Sequence, residues 1–301
     1  MSRTVKIVIL SVIAGILIAL VAWGVTVRDT IYFMDGRMLF GTHAGETAGT
    51  SVSEFEADTG DIGNIKLDFV SEAIEVVVTD GDMIRIEETS NRALKEEEKM
   101  ICNVSGDTLS AVSGFKNRWM LGFTGWTEIK ITLYVPAEYD GNLDLYSTSG
   151  GIKAGEVQVD SLRIHSTSGA LYLADATANG LDIGSTSGAL AVDGGSYETV
   201  QAGSVSGAIK LEAEKTQNVE ASTTSGAIAI SVDEMPERID ANTVSGSVLL
   251  RLPENDGFTL DTDTVSGSVN NDFAMAHDMY KEGGSTISVD TVSGSINIMK
   301  E

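Results

Sequence analysis

A Ser-Gly dipeptide that returns at a nearly fixed interval constrains this chain more than any other feature. Its glycine falls at Gly150, Gly169, Gly188, Gly207, Gly226, Gly246, Gly267 and Gly294, at intervals of 19, 19, 19, 19, 20, 21 and 27 residues. A period of this kind marks a repeat architecture and is settled before local structure is read. Seven residues before the glycines stand Leu143, Leu162, Leu181, Val200, Val219, Ile239, Leu260 and Ile287. Two residues after them stand Ile152, Leu171, Leu190, Ile209, Ile228, Val248, Val269 and Ile296. Apolar residues also recur five before and four after, so each flank alternates with the period of a strand. The alternation slips by one at the glycine, as at a corner or bulge, and glycine tolerates the backbone angles expected there.

Each repeat therefore reads as strand, Ser-Gly corner, strand and return turn. One such pair of short strands cannot bury its apolar face, whereas successive coils stacked in parallel enclose a continuous interior. The expected fold is all-β: a single-stranded parallel β-helix, or β-solenoid, of about 19-residue coils. Eight coils spaced ~4.8 Å apart give a rod roughly 40 Å long. Right-handed winding is expected from the crossover rule.

The corner serines Ser149, Ser168, Ser187, Ser206, Ser225, Ser245, Ser266 and Ser293 are expected to form an internal ladder of hydroxyls. A serine nucleophile needs a base and an oxyanion site, and a repeated ladder supplies neither. Two before the glycines runs an outward stripe of Thr148, Thr167, Thr186, Val205, Thr224, Val244, Val265 and Val292. Stacked threonines occur on ice-binding solenoids, but half of this stripe is valine and it is one column wide, so it reads as strand propensity on an exposed face. Six before the glycines, Arg163 separates Asp144 from Asp182, while Glu220, Asp240 and Asp261 follow one another in chain order. That run could attract a cation, but it is read as a solvated acidic edge.

From Ile7 to Val27 no residue is charged and nearly all are apolar. As a helix this run spans ~30 Å, the thickness of a bilayer core. Arg3 and Lys6 precede it, so residues 1–27 are expected to form a cytoplasmic stub and single-pass transmembrane helix, with the remainder extracytoplasmic at the cell membrane. A cleaved signal peptide is the competing reading, but Trp23 beside the small residues Ala22 and Gly24 is awkward for cleavage. Residues 28–54 read as a tether and 55–301 as the solenoid domain, with irregular capping coils over 55–141 and regular Ser-Gly repeats over 142–301. Strands are expected at 65–69, 74–78, 83–87 and 128–135. The insertion 272–284 is expected to fold over the distal end as a lid.

The formal net charge is −24, from 20 basic and 44 acidic residues. Arg3 and Lys6 lie before the apolar run, which leaves 18 − 44 = −26 after it. Such a surface repels phosphate backbones and argues against nucleic acid as a partner. It suits cationic partners or divalent ions, with solubility alone as the plainer reading. As a binding module the chain is expected to meet an envelope polymer, a cationic peptide or a membrane protein, while homo-oligomerisation stays open. Cys102 is the only cysteine, His43, His165 and His277 are scattered, and no metal or cofactor motif is present, so no cofactor is expected. Parallel β-helix enzymes acting on polysaccharides use carboxylates in a cleft built by long loops, and the loops here are short. The segment Phe115–Trp126 is the exception: it holds Trp119, Phe123 and Trp126, either as a plug on the stack or as binding anchors. These three are the candidate binding residues.

The serial S-T-S-G-A-L and T-V-S-G-S-V coils, with Leu133-Tyr134-Val135-Pro136 and Ile74-Glu75-Val76-Val77-Val78 before them, resemble the bacterial "putative adhesin" family of β-solenoid domains. The resemblance covers residues 55–301. Several members sit behind one transmembrane helix, and some accompany Lia-type systems that respond to cell-envelope stress. The resemblance implies surface display and a binding or envelope-stress role without agreed catalytic residues. Two other readings stand beside it: a scaffold that assembles by end-to-end coil stacking, and a polysaccharide-acting enzyme.

Overall fold

The computed structural model describes residues 32–34, 37–39, 50–114 and 127–301. Two compact units divide the chain, Met1–Gly49 and Thr50–Glu301. In the first, β1 (Tyr32–Met34) pairs antiparallel with β2 (Arg37–Leu39). The anchor expected at Ile7–Val27 lies outside the described residues, among which no helix is long and apolar enough to cross a membrane. The second unit starts at Thr50, within the stretch expected to be tether.

Its N-terminal strands are β3 (Thr50–Asp58), β4 (Asn64–Phe69), β5 (Ala73–Thr79), β6 (Met83–Ser90), β7 (Ile101–Ser105), β8 (Thr108–Val112) and β9 (Ile129–Pro136). The repeats supply β10 (Asn142–Ser147), β11 (Ile152–Gly155), β12 (Gln158–Ser166), β13 (Leu171–Ala174), β14 (Thr177–Ser185), β15 (Leu190–Asp193), β16 (Ser196–Ser204), β17 (Ile209–Ala213), β18 (Lys215–Thr223), β19 (Ile228–Val232), β20 (Arg238–Ser245) and β21 (Val248–Leu252). The last five are β22 (Gly257–Ser266), β23 (Val269–Asn271), β24 (Met279–Lys281), β25 (Ser285–Ser293) and β26 (Ile296–Lys300). All four N-terminal strands expected from alternation are present.

The strands form two 12-stranded sheets, one ordered β24-β22-β25-β20-β18-β16-β14-β12-β10-β4-β8-β7 and the other β23-β26-β21-β19-β17-β15-β13-β11-β5-β9-β6-β3. Two strands of each sheet, β24 and β7 in one and β6 and β3 in the other, pair antiparallel at or beside an edge. The other ten of each are parallel, so one strand from each sheet and the corner between them make a rung. Alternate side chains point inward, as the buried-half-buried pattern of β10 shows, and one apolar cluster runs from Ile62 to Ile298. Stacking rungs is the only way these strands bury that face, which is why the 19-residue period dictates the fold.

Rung order departs from chain order at both ends. The β4–β5 rung packs directly on β10–β11, and β8–β9, later in sequence, lies outside it. At the other end β25–β26 is inserted between β20–β21 and β22–β23. The expected lid is therefore a return path: β24 pairs with Gly257, Phe258 and Thr259 before the chain steps back inside. Phe258, Phe273 and Tyr280 close this corner, with ring centroids 4.9–5.4 Å apart. The 21- and 27-residue intervals reflect this out-and-back path.

Candidate functional site

The corners form one line along the stack. At three before the glycine, a buried hydroxyl accepts the glycine N–H: Ser147 from Gly150 at 2.9 Å, Ser166 from Gly169 at 2.7 Å, and Ser185 from Gly188 at 2.8 Å. Where threonine takes that place, its hydroxyl donates to the glycine carbonyl of the adjacent rung, as Thr243 does to Gly226 at 3.2 Å and Thr291 to Gly246 at 3.3 Å. A Cβ on any of the eight corner glycines would overlap backbone of the next rung, and for Gly150 that backbone is the Glu72 carbonyl. None of the eight has a positive φ. The glycine is thus required by close approach and not by the special backbone angles expected.

The internal ladder belongs to Ser147 and its equivalents. The expected ladder residues Ser149, Ser187, Ser206, Ser225, Ser245, Ser266 and Ser293 are exposed, and Ser168 is half-buried. The slip in alternation falls between the threonine or valine stripe and the glycine, turning these serines outward.

The outer face of the first sheet carries the charged column. Arg163 lies between Asp144 and Asp182, with Nη1 3.7 Å from Asp144 Oδ2 and Nε 3.2 Å from Asp182 Oδ2. His165 Nε2 stands 3.0 Å from Asp182 Oδ1 without hydrogen-bond alignment. The unrelieved run of Glu220, Asp240 and Asp261 does not form, because Ser288 of the inserted rung separates Asp240 from Asp261. Arg238 Nη2 also pairs with Asp240 at 2.6 Å. No group of His, Cys, Asp and Glu side chains among the described residues could hold a metal ion. Two shallow depressions lie on this face, about 250 Å³ beside Asn64, Asn142 and Arg163 and about 350 Å³ beside Thr199, Asn218 and Arg238.

The one irregular corner belongs to the outermost N-terminal rung. In the other rungs the buried position before the corner and the first buried position after it are five residues apart, as from Ser147 to Ile152 or from Phe69 to Ile74. In β8–β9 the equivalent pair is Ser113 and Ile131, eighteen apart. The extra chain is the segment 115–126, so Trp119, Phe123 and Trp126 lie outside the described residues while both roots of their loop are described. Arg92 Nε donates to Thr127 Oγ1 at 2.9 Å, and Glu128 N to Asn91 Oδ1 at 3.2 Å.

Glu72 and, through Arg92, Glu98 hold these roots, and the buried Glu88 lies close to Glu72. Glu72 occupies the place of the corner glycine in β4–β5 and is 2 % exposed. Its carboxylate accepts Val70 N at 3.0 Å, Ser71 N at 2.7 Å and Ser113 Oγ at 2.6 Å. Glu88, 1 % exposed, accepts Met100 N through both oxygens, at 3.0 and 3.1 Å, and Ser53 Oγ at 3.2 Å. Burial pushes its carboxyl above the usual range and the nearby Glu72 charge adds to that, while the Met100 and Ser53 hydrogen bonds oppose it. Arg92 grips Glu98 bidentately at 2.8 and 3.0 Å and, with the Lys95 N–H, lowers its carboxyl to about 2. Burial raises the Cys102 thiol to about 11, which leaves it protonated and inert at neutral pH.

Sequence reading missed this acid-lined root. A usable signal existed: Leu109, Ala111 and Ser113 repeat the buried positions of Leu143, Leu145 and Ser147, and Val70-Ser71-Glu72 repeats Thr148-Ser149-Gly150 with glutamate for glycine. Both become visible once the register is known.

Two parallel sheets joined by a line of Ser-Gly corners define an all-β, solenoid-like repeat protein. Within that class, this chain belongs to the Toastrack DUF4097 family, whose model matches residues 62–299. No curated protein matches it. Among solved structures it is similar to a "putative adhesin" from Parabacteroides distasonis, at 12% identity and a TM-score of 0.49, over 83% of this chain and 98% of that one. A "putative lipid binding protein" from the same organism shares 18% identity at a TM-score of 0.42, over 83% and 98%. A "putative cell adhesion protein" from Clostridium sporogenes shares 11% at 0.32, over 84% and 100%.

Proposed function

We propose that the chain is a non-enzymatic binding module, anchored in the membrane by Ile7–Val27 and displayed outside the cell, which recognises envelope components through the loop 115–126. One observation carries this reading: among the described rungs β8–β9 alone carries an insertion at its corner, and the inserted segment, residues 115–126, holds two of the three tryptophans of the chain. A rigid rod with an aromatic loop held at one end by Arg92, Glu98 and Glu72 suits recognition, because anchors on a fixed base lose little entropy on binding. The acidic rod behind the loop favours a cationic or neutral envelope partner over a phosphate-rich one.

The test compares binding to isolated cell envelopes by the unaltered protein and by a Trp119→Ala, Trp126→Ala variant whose circular dichroism and melting are unchanged. A loss of about tenfold or more, the size expected for anchor residues, supports the loop. Undiminished binding that disappears at high salt would overturn it in favour of the charged face.

A further inference from the structure

We infer that the distal rung is a strand-addition site for an extended basic segment of a partner protein. The site is independent of the reading of the N-terminal loop and lies at the other end of the rod. β22 pairs with β25 on its inner side over Phe258–Ser266, but on its outer side β24 covers only Gly257, Phe258 and Thr259. Leu260 N–H also points outward, donating to Asp278 O at 2.8 Å. Because peptide groups alternate along a strand, the N–H and C=O groups of Thr262 and Thr264 share that outward direction. Neither has a partner there among the described residues. β23 is the outermost strand of the second sheet, with β26 on its inner side alone.

Side chains repeat the message. From Asp261 to Asn270 no residue is buried. Val269 is 42 % exposed, while Val248 and Ile296 at the same position of the next rungs are fully buried. Val265, on the same rung, is 78 % exposed. An edge of unpaired peptide groups with half-covered apolar residues is a template for another strand.

Charge selects the occupant. Asp261 and Asp263 are exposed on this edge strand, in a chain of net charge −24. A second copy added to the same edge would bring these aspartates against their own kind, and like charges facing each other across an interface are costly. An extended segment that alternates basic with apolar residues satisfies the free peptide groups, covers Val269 and neutralises Asp261 and Asp263 together.

The test uses the full-length chain in detergent micelles and a fluorescent, end-blocked peptide of about eight alternating lysines and valines, the length of an ordinary strand. Anisotropy should show binding that weakens as salt rises, with slowed exchange of the Thr262 and Thr264 amide hydrogens. A matching peptide with glutamate for lysine should bind about tenfold or more weakly. Thr262→Pro removes an outward N–H without touching the ladder to β25 and should abolish binding of the lysine peptide. Asp261→Lys with Asp263→Lys should reverse the preference between the two peptides. Binding that survives Thr262→Pro, or that protects other amides, would overturn the site. Self-association of the unaltered chain that Thr262→Pro abolishes would overturn the assignment of the occupant and give the edge to a second copy.

Discussion

The two ends of the stack solve the same problem differently. At the N-terminal end the outermost rung is sealed: Leu109, Ala111, Ile131 and Leu133 are fully buried beneath β3, β6 and β7. At the C-terminal end β24 and the aromatic group around Phe258 seal one corner, and the remaining ten residues from Asp261 lie open. A solenoid end is a sheet edge and an exposed core at once. One end is closed with strands and buried acids, and the other is left polar, with Thr262 and Asn271 where deeper rungs place Ala241 and Leu250, or Val289 and Ile298.

The largest expected effect tests whether the corner line is equally rigid at both ends. Gly150→Ala places a Cβ against the Glu72 carbonyl inside the stack and should cost more than about 4 kcal/mol in urea unfolding. Gly267→Ala makes the corresponding overlap with Gly294, but beyond Thr259 its rung has no strand on the outer side and can shift at that corner. Its cost should be less than half as large, and equal losses would show the distal rung to be locked. Next, Leu133→Ala should cost about 2–5 kcal/mol, whereas Val269→Ala, already half in water, should cost under about 1 kcal/mol.

The smallest effects concern acid stability. Glu98 is held near 2 by Arg92 and Lys95. Its contribution is complete above the ordinary glutamate value of about 4.3 and is lost as pH falls from there towards 2. Glu98→Gln should therefore lower stability at pH 7 by about 1–3 kcal/mol and by much less near pH 2. Glu88 has the opposite sign, because a raised carboxyl destabilises the fold as pH rises through its folded value, so Glu88→Gln should leave neutral stability unchanged or higher. At the distal end Glu254 is also lowered to about 2, between Lys300 and Lys281, but it is fully exposed. The acid sensitivity it confers should vanish in salt above about 0.5 M, while that of Glu98 persists.

Residues 142–252 were legible in the sequence because one physical requirement, an apolar residue at every second position with a corner of fixed length, acts there without interruption. β4, β5, β6 and β9 were legible as strands but not as rungs, and β7 and β8 were not read as strands at all. Their corner residues are Glu72 and an inserted loop, so the Ser-Gly marker is missing where it was sought. The order of the last rungs was not legible, because β22 and β25 carry the same pattern and either could pair with β20. Their positions are decided by the hairpin of β22 with β24, a contact between segments about twenty residues apart. The corner serines were misplaced by one step of alternation, since a bend can fall on either side of Ser149 and only the close approach at Gly150 fixes which. The acid-lined loop root was missed for a related reason: Glu72, Glu88 and Ser113 are far apart in sequence and meet only through the stepped order of the rungs.

That stepped order has a mechanical consequence. A repeat rod laid down in chain order frays from its tip, because each terminal unit is held by one neighbour. Here the last strands, β25 and β26, run between rungs on both sides, and Lys300 at their end is paired with Glu254. A pull on the C-terminus must shear two ladders in each sheet at once. These last strands are thereby among the hardest to peel, and load on them is shared by the rungs on both sides before they come away.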